Sequence, residues 1–280
     1  MRAGLAGIGA APSRLDRARA ILHRMPVPDA PRPRRLVVAL DGPGSSGKSS
    51  VGSAAARRLG YRFFDTGLLY RAVTWLALDR KVGSHDEAGL VALVDDLELA
   101  EDEDGHLSRV LSEGRDVTDA VRGPEVDANV SAISAVPAVR EALLERQRAL
   151  AADGGIVMAG RDIGTVVLPD ADLKLFLDAS VEERAMRRTR ERALDPDGPE
   201  ARRVLDALRE RDRLDTSREV APLRPADDAR ILVTDGNRLQ DTIDMVSGAI
   251  EDAVARAEDA RAKADAAPDA GAAPAAATSG

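Results

Sequence analysis

From Arg35 onward, short apolar runs alternate with amphipathic stretches, and their order predicts the elements. "RRLVVALD" is an apolar strand running into a glycine-rich turn, and "SSVGSAAARRLG" reads as a helix from about Ser49 that stops at Gly60. "YRFFD" is a second strand, followed by the amphipathic helix "GLLYRAVTWLALDR", whose Trp75 is expected in the core. "GGIVMAG", apolar between glycines, is a buried strand; "DLKLFLDA" alternates like a strand and leads into the helix "SVEERAMRRTRERAL". "ARILVTDG" is the last strand, with a closing helix near 239–257. Strands separated by helices imply right-handed crossovers and a mostly parallel sheet covered on both faces. Residues 97–122 break this rhythm. Their alternation around "EDG" and "EGRD" predicts a small antiparallel meander inserted into the α/β core.

The two ends lack such patterning. Residues 1–34 mix Ala, Gly, Pro and Arg and are expected to be a disordered extension, with Met25 as an alternative start. "AGLAGIGAAP" after Arg2 holds one Leu and one Ile before an Arg-rich segment, which makes a poor signal-peptide core. Residues 257–280 are expected to be a disordered Ala/Pro-rich tail, because from Ala266 no Val, Ile, Leu or Phe remains to offset the ordering entropy.

Composition narrows the function. A chain of 280 residues, 44 % apolar, allows one large domain or two small ones, and with 2 % aromatics its core must be Val, Leu, Ile and Ala. No run approaches the roughly 18 apolar residues of a spanning helix, so no membrane is expected. Cysteine is absent, which excludes disulfides and thiolate metal sites and fits the cytoplasm. A net charge of −8 argues against nonspecific nucleic-acid binding. His23, His85 and His106 lie in no motif, which disfavours His-based acid–base or zinc chemistry.

The chemistry-bearing stretch is "DGPGSSGKSS", residues 41–50. Gly42, Gly47, Lys48 and Ser49 match G-x-x-x-x-G-K-[ST], with Pro43, Gly44, Ser45 and Ser46 between and Ser50 after. The glycines free backbone N–H groups to face phosphate oxygens, and the following helix adds its positive end. Lys48 can reach the β and γ phosphates and Ser49 can hold Mg²⁺. Of 40 basic residues only Lys48, Lys81, Lys174 and Lys263 are lysines; a compact ammonium suits a phosphate cradle better than a planar fork. The loop says triphosphate but not reaction. A GTPase switch would need a guanine-reading Asn-Lys-x-Asp motif, and none is present. A mechanical ATPase would show an apolar run ending in acidic residues, whereas "GIVMAGRD" places Gly and Arg before the acid. A small-molecule kinase needs a second pocket for a phosphorylated acceptor, and so scattered arginines.

Such arginines are present. Thr66 and Gly67 open a helix and can offer N–H groups and a hydroxyl to an anion, with Arg71 about one turn on. Arg161 and Asp162 follow a core strand, where open α/β sheets place ligands. Arg211, Asp215 and Arg218, spaced four and three, share a face if their helix continues. "SAISAVPAVREALLERQRAL" adds Ser131 and Arg140.

These residues carry a resemblance to the bacterial cytidylate kinases, nucleoside monophosphate kinases that make CDP and dCDP. It rests on "DGPGSSGKSS", "DTGLLYR", "VPAVREALLERQR", "GRDIGTVVLPDADLKLFLDAS", "EERAMRR" and "RERDRLDTSREVAPL", which run in the family's order from about Arg35 to Ala255. The resemblance implies a P-loop NTPase fold, α/β, with about five parallel strands flanked by helices. It implies a kinase domain over 35–256, with a core of 35–70 and 150–256, a monophosphate-binding insert of about 71–149 and a lid of about 187–203. It implies that residues Gly42 to Ser50 bind ATP with Mg²⁺ on Ser49, and that Lys48, Arg161, Arg188 and Asp162 are catalytic. Thr66 (where the family often has Ser), Arg71 and Arg161 would hold the acceptor phosphate. Ser131, Arg140 and Asp162 would read the base. Arg211, Asp215 and Arg218 would hold ribose and phosphates, and Arg184, Arg187 and Arg188 would serve the lid. ATP and CMP or dCMP are the implied substrates, and a monomer the implied state. The base choice also has a physical rationale: a carboxylate such as Asp162 can accept from cytosine N4 while Arg140 donates to N3 or O2, and uracil reverses both polarities. A pyrimidine kinase accepting UMP equally, and a nucleotide-binding switch without transfer, are the competing readings.

Overall fold

In the computed structural model, which describes residues 35–266, the core is built outward from one strand. That strand, β1 (Val37–Asp41), is buried along its whole length. It pairs in parallel with β6 (Ile156–Gly160) on one side and β7 (Leu173–Asp178) on the other. The period-two alternation of a strand divides its side chains between two cores. Val37 and Ala39 join one apolar cluster, and Val38 and Leu40 join the other. Such an all-apolar strand is what a sheet covered on both faces requires.

Among the described residues the sheet has eight strands in the order β3-β4-β2-β6-β1-β7-β8, with β5 beside β4. Five of these, β2 (Arg62–Asp65), β6, β1, β7 and β8 (Arg230–Val233), run parallel to their neighbours. The fold is therefore the expected α/β one. The predicted meander exists as β3 (Leu97–Glu101), β4 (Leu107–Ser112) and β5 (Arg115–Asp116), paired antiparallel. It is not a separate layer, however. β4 joins the edge of the main sheet through the parallel pair Phe64 and Leu107.

Helices α1 (Lys48–Leu59) and α8 (Leu239–Ala266) cover the face with Val38, Leu40, Val157 and Ala159. Helix α1 lies so close that a Cβ on Gly52 would stand 2.6 Å from Phe63 and 2.8 Å from Leu40. It ends as predicted at Gly60, whose left-handed φ of 69° lets its N–H close on Arg57 O. On the other face α2 (Gly67–Asp79), α3 (Glu87–Val94), α4 (Pro124–Ala135) and α5 (Pro137–Ala151) pack over Phe64, Ile156 and Met158. Trp75 is only partly buried and lies against this cluster rather than within it. Helix α3 was not foreseen. It is short and apolar on most sides, so it lacks a helical stripe, and its N-cap Asp86 accepting from Gly89 N (2.9 Å) is the signal it does carry.

Helices α6 (Val181–Glu191) and α7 (Pro199–Ser217) form a smaller unit over Ala185, Val204 and Leu208. Helix α6 opens on Ser180 accepting from Glu183 N, has Glu182 and Glu183 in its first turn and Arg188 and Arg190 in its last, all matched to the helix dipole. The closing helix continues past the expected limit of 257 to Ala266. Its Ala, Glu, Asp, Arg and Lys residues there are good or neutral helix formers and need no core. The expected extension at 1–34 and the rest of the expected tail, 267–280, lie outside the described residues.

Candidate active site

The glycine loop joins β1 to α1 at the carboxyl end of the sheet. Gly42 has φ of 153°, and a Cβ there would stand 2.3 Å from Leu177 O, so only glycine fits. Gly47 caps α1 in the left-handed region at φ 91°. Lys48, 5 % exposed, donates from Nζ to Pro43 O at 3.1 Å, which curls its ammonium back over the loop. Burial, and then the charge of Arg161, hold that ammonium well below its usual pKa, a field that anionic oxygens would reverse. The Ser49 hydroxyl donates to the Asp65 carboxylate at the end of β2.

Behind the loop, Asp41 accepts from Ile163 N and Gly164 N, each at 2.8 Å. These N–H groups begin a single π-turn, Ile163–Val167, directly after Arg161 and Asp162. Asp41 thus fixes the second loop against the first. Burial, with Asp162 nearby, raises its carboxyl to about 6 in spite of the two N–H groups and Lys48. Asp41 belongs to no motif that singles it out, and its one visible signal is that it is an acid ending an apolar strand.

A narrower pocket beside the loop is lined by Thr66, Arg71, Arg140, Arg161, Asp162, Arg211, Asp215 and Arg218. The expected acceptor residues therefore meet, though they come from distant segments. Arg140 and Asp162 form a buried ion pair, and Arg140 Nη1 also donates to Ser134 O at 3.0 Å. The Tyr70 ring lies 5.4 Å under the Arg140 guanidinium. Thr66 Oγ1 donates to Ala159 O (3.0 Å), which fixes it on the strand beside β2. Arg161 Nε donates to Asp215 Oδ2 at 3.0 Å. Helix α7 ends at Ser217, so Arg218 is an extended C-cap residue and does not share the helical face with Arg211 and Asp215. It still reaches the pocket. Ser131 lies in the wider cleft with the glycine loop, while Ser134, one turn on, lines the narrower pocket.

Charge in this pocket is unbalanced. Burial and the neighbouring Arg161 bring Arg211 down to about 10. Burial likewise lowers Arg218. Arg211 Nε and Arg218 Nε and Nη2 are buried with no hydrogen-bond partner among the described residues. Arg211 Nε lies 3.9 Å from Asp215 Oδ2, beyond hydrogen-bond reach; buried guanidinium donors left without a hydrogen bond are costly, and they suit a site made for an anion.

The three arginines expected to serve a lid part company. Arg184 is buried and donates to Ala179 O (2.9 Å), Gly44 O (3.0 Å) and Asp212 Oδ1 (3.1 Å). Arg187 bonds Glu183 (2.9 Å), Thr234 Oγ1 (3.1 Å) and Ser46 O (3.4 Å). Both brace the glycine loop. Arg188 instead crosses to Asp127 on α4 at 3.1 Å. Arg71 (2.5 Å) and Arg192 (2.9 Å) reach the same carboxylate. Asp127 was not foreseen, since one acid in "GPEVDANVS" carries no motif.

Among the described residues no cluster of three carboxylate or imidazole groups could hold a metal, and no helix is long and apolar enough to cross a membrane. The family model for Cytidylate kinase matches residues 38–252. A bifunctional pantoate ligase/cytidylate kinase from Synechococcus sp. (strain CC9605) is 48 % identical over 219 residues, covering 77 % of this chain and 45 % of that protein. The chain thus spans less than half the length of such two-function relatives. A cytidylate kinase from Pelotomaculum thermopropionicum is 45 % identical, covering 75 % of this chain and 93 % of that one. Another from Geobacillus kaustophilus is also 45 % identical, covering 76 % and 95 %.

Proposed function

The chain belongs to the cytidylate kinase family, and on that premise we propose that it transfers the γ-phosphoryl group of ATP to CMP or dCMP. The products are ADP and CDP or dCDP. The observation that carries this reading is the buried Arg140–Asp162 pair at the end of β6, in a pocket that also holds unpaired arginine donors. Asp162 spends one oxygen on Arg140 and keeps the other for the N4 amine of cytosine. Arg140 retains N–H groups for the base acceptors.

The loop Gly42 to Ser50 receives the triphosphate, with Lys48 at the transferring group. Ser49 and Asp65 are a hard-oxygen set suited to Mg²⁺, held chiefly through ATP, and the ion would neutralise charge on the phosphates. The acceptor phosphate is already ionised, so transfer needs no general base. Thr66, Arg71 and Arg161 orient it, Arg211, Asp215 and Arg218 hold ribose and phosphates, and Lys48 with Arg188 stabilises spreading negative charge. Residues 71–149 act as the acceptor domain on the core of 35–70 and 150–256. The 187–203 segment acts as the lid that excludes water. The enzyme works as a cytoplasmic monomer.

The test is a steady-state assay with Mg-ATP and, in turn, CMP, dCMP, UMP, AMP and no acceptor. Turnover with CMP and dCMP, and at least about 100-fold lower kcat/KM with UMP, is expected. Equal use of UMP would keep the kinase and overturn the account of base recognition. ADP release without an acceptor would overturn the transfer itself.

A further inference from the structure

Asp127 sits in the first turn of α4, yet its carboxylate faces neither solvent alone nor the helix end. It gathers guanidinium groups from two other segments. Oδ1 accepts from Arg71 of α2, and Oδ2 accepts from Arg188 near the end of α6 and from Arg192 just beyond it. Arg71 and Arg188 line the same cleft as Lys48 and Arg161. The wall of that cleft is crowded with positive charge, and Asp127 is a carboxylate that Arg71, Arg188 and Arg192 share, Arg188 also bonding Glu191 at 3.1 Å. Burial alone would raise its pKa, but Arg71 first, with Arg188 and Arg192, holds it below the ordinary range. It is therefore a permanent anion.

We propose that Asp127 is a positioning residue that stands in for phosphate, holding Arg71 and Arg188 in place until the substrate phosphates take them over. This rests on the kinase reading above. A carboxylate presents one charge and two oxygens, whereas a phosphate monoester presents up to two charges and three oxygens. The arginines therefore exchange toward the stronger anion. Two effects follow. The guanidinium groups stay ordered and aimed into the cleft, so they are not lost to solvent. Binding of any phosphate is also weakened, because each anion must first displace Asp127. An ordinary ligand-binding residue acts in the opposite sense. Its loss weakens binding, while loss of Asp127 tightens it.

The experiment measures binding of inorganic pyrophosphate by calorimetry, with Asp127→Asn and Asp127→Ala beside the wild type. Asp104→Asn serves as the charge-matched control, since Asp104 is exposed, pairs with Arg57 and lies outside this cleft. Both Asp127 variants are expected to bind pyrophosphate about threefold or more tighter, with Asp104→Asn within about 1.5-fold of wild type. In turnover, KM for CMP falls in Asp127→Asn while kcat stays level or declines, because Arg188 keeps only its bond to Glu191. Unchanged or weaker pyrophosphate binding would overturn the proposal. So would equal tightening in Asp104→Asn, or loss of folding in both Asp127 variants, which would make the carboxylate a structural bridge. The binding readout is independent of the acceptor's identity. Tightening without CMP turnover would sink the kinase reading alone, and CMP turnover without tightening would sink this one alone.

Discussion

Arginines do opposite work on the two sides of the cleft. On the glycine-loop side, Arg184 and Arg187 are saturated: their N–H groups end on backbone carbonyls of the loop, on Asp212, Glu183 and Thr234. On the side of the narrower pocket, Arg211 and Arg218 keep buried N–H groups that no described residue accepts as a hydrogen bond. On the kinase reading proposed above, the first pair is mortar and the second is a receptor. The same side chain is structural where its fork is filled by the protein and able to take a ligand where it is left open.

Three variants would sharpen or break that contrast. Arg184→Ala strips bonds from the loop and leaves the part-buried Asp212 without its cation, so a loss of about 3 kcal/mol in urea unfolding is expected. Stability within about 0.5 kcal/mol of wild type would break the contrast from the structural side. Arg218→Ala removes two N positions without a protein hydrogen bond, leaving only its charge interaction with Asp215 and Asp162 to lose. Its unfolding midpoint should hardly move, while KM for CMP rises about 30-fold, near 2 kcal/mol. A variant that unfolds with KM intact would reverse the assignment.

The smallest effect belongs to Asp41, between the two sides. Its folded pKa, raised by burial to about 6, exceeds the unfolded value of 3.8, so between those values the folded state binds the extra proton. Stability from this group is therefore greatest at the acid end and falls as pH rises through about 6. Raising the pH from 5 to 7.5 should remove about 1 kcal/mol through it. The groups that face it are Asp162 and Lys48. Asp41→Asn should be less stable overall but show a flatter profile across that window. An unchanged slope in urea titrations would show that the burial of Asp41 is not felt as a proton affinity.

What the sequence made legible follows from what local chemistry can encode. The glycine loop, the parallel strands and the Arg161–Asp162 corner were readable because spacing and alternation are local. The convergence of Arg71, Arg188 and Arg192 on Asp127 was not, because an ion pair between three segments leaves no periodic trace. Helix α3 escaped because a short, nearly all-apolar helix has no stripe to detect. Arg218 would share a helical face with Arg211 and Asp215 only if the helix continued, but it ends at Ser217 and the chain is extended at Arg218; spacing does not announce where a helix stops.

The central strand also has a kinetic meaning. Val37 of β1 lies in register with Ile156 of one partner strand, and Val38 with Leu173 of the other, so its two partners are synthesised long after it. Neither core can close around β1 until more than half of the chain has left the ribosome. Until then its bare apolar edge is open to any passing strand. Folding of this protein is thus governed by long-range closure, slow by the standard of locally paired folds, and β1 is the segment a chaperone would have most reason to shield.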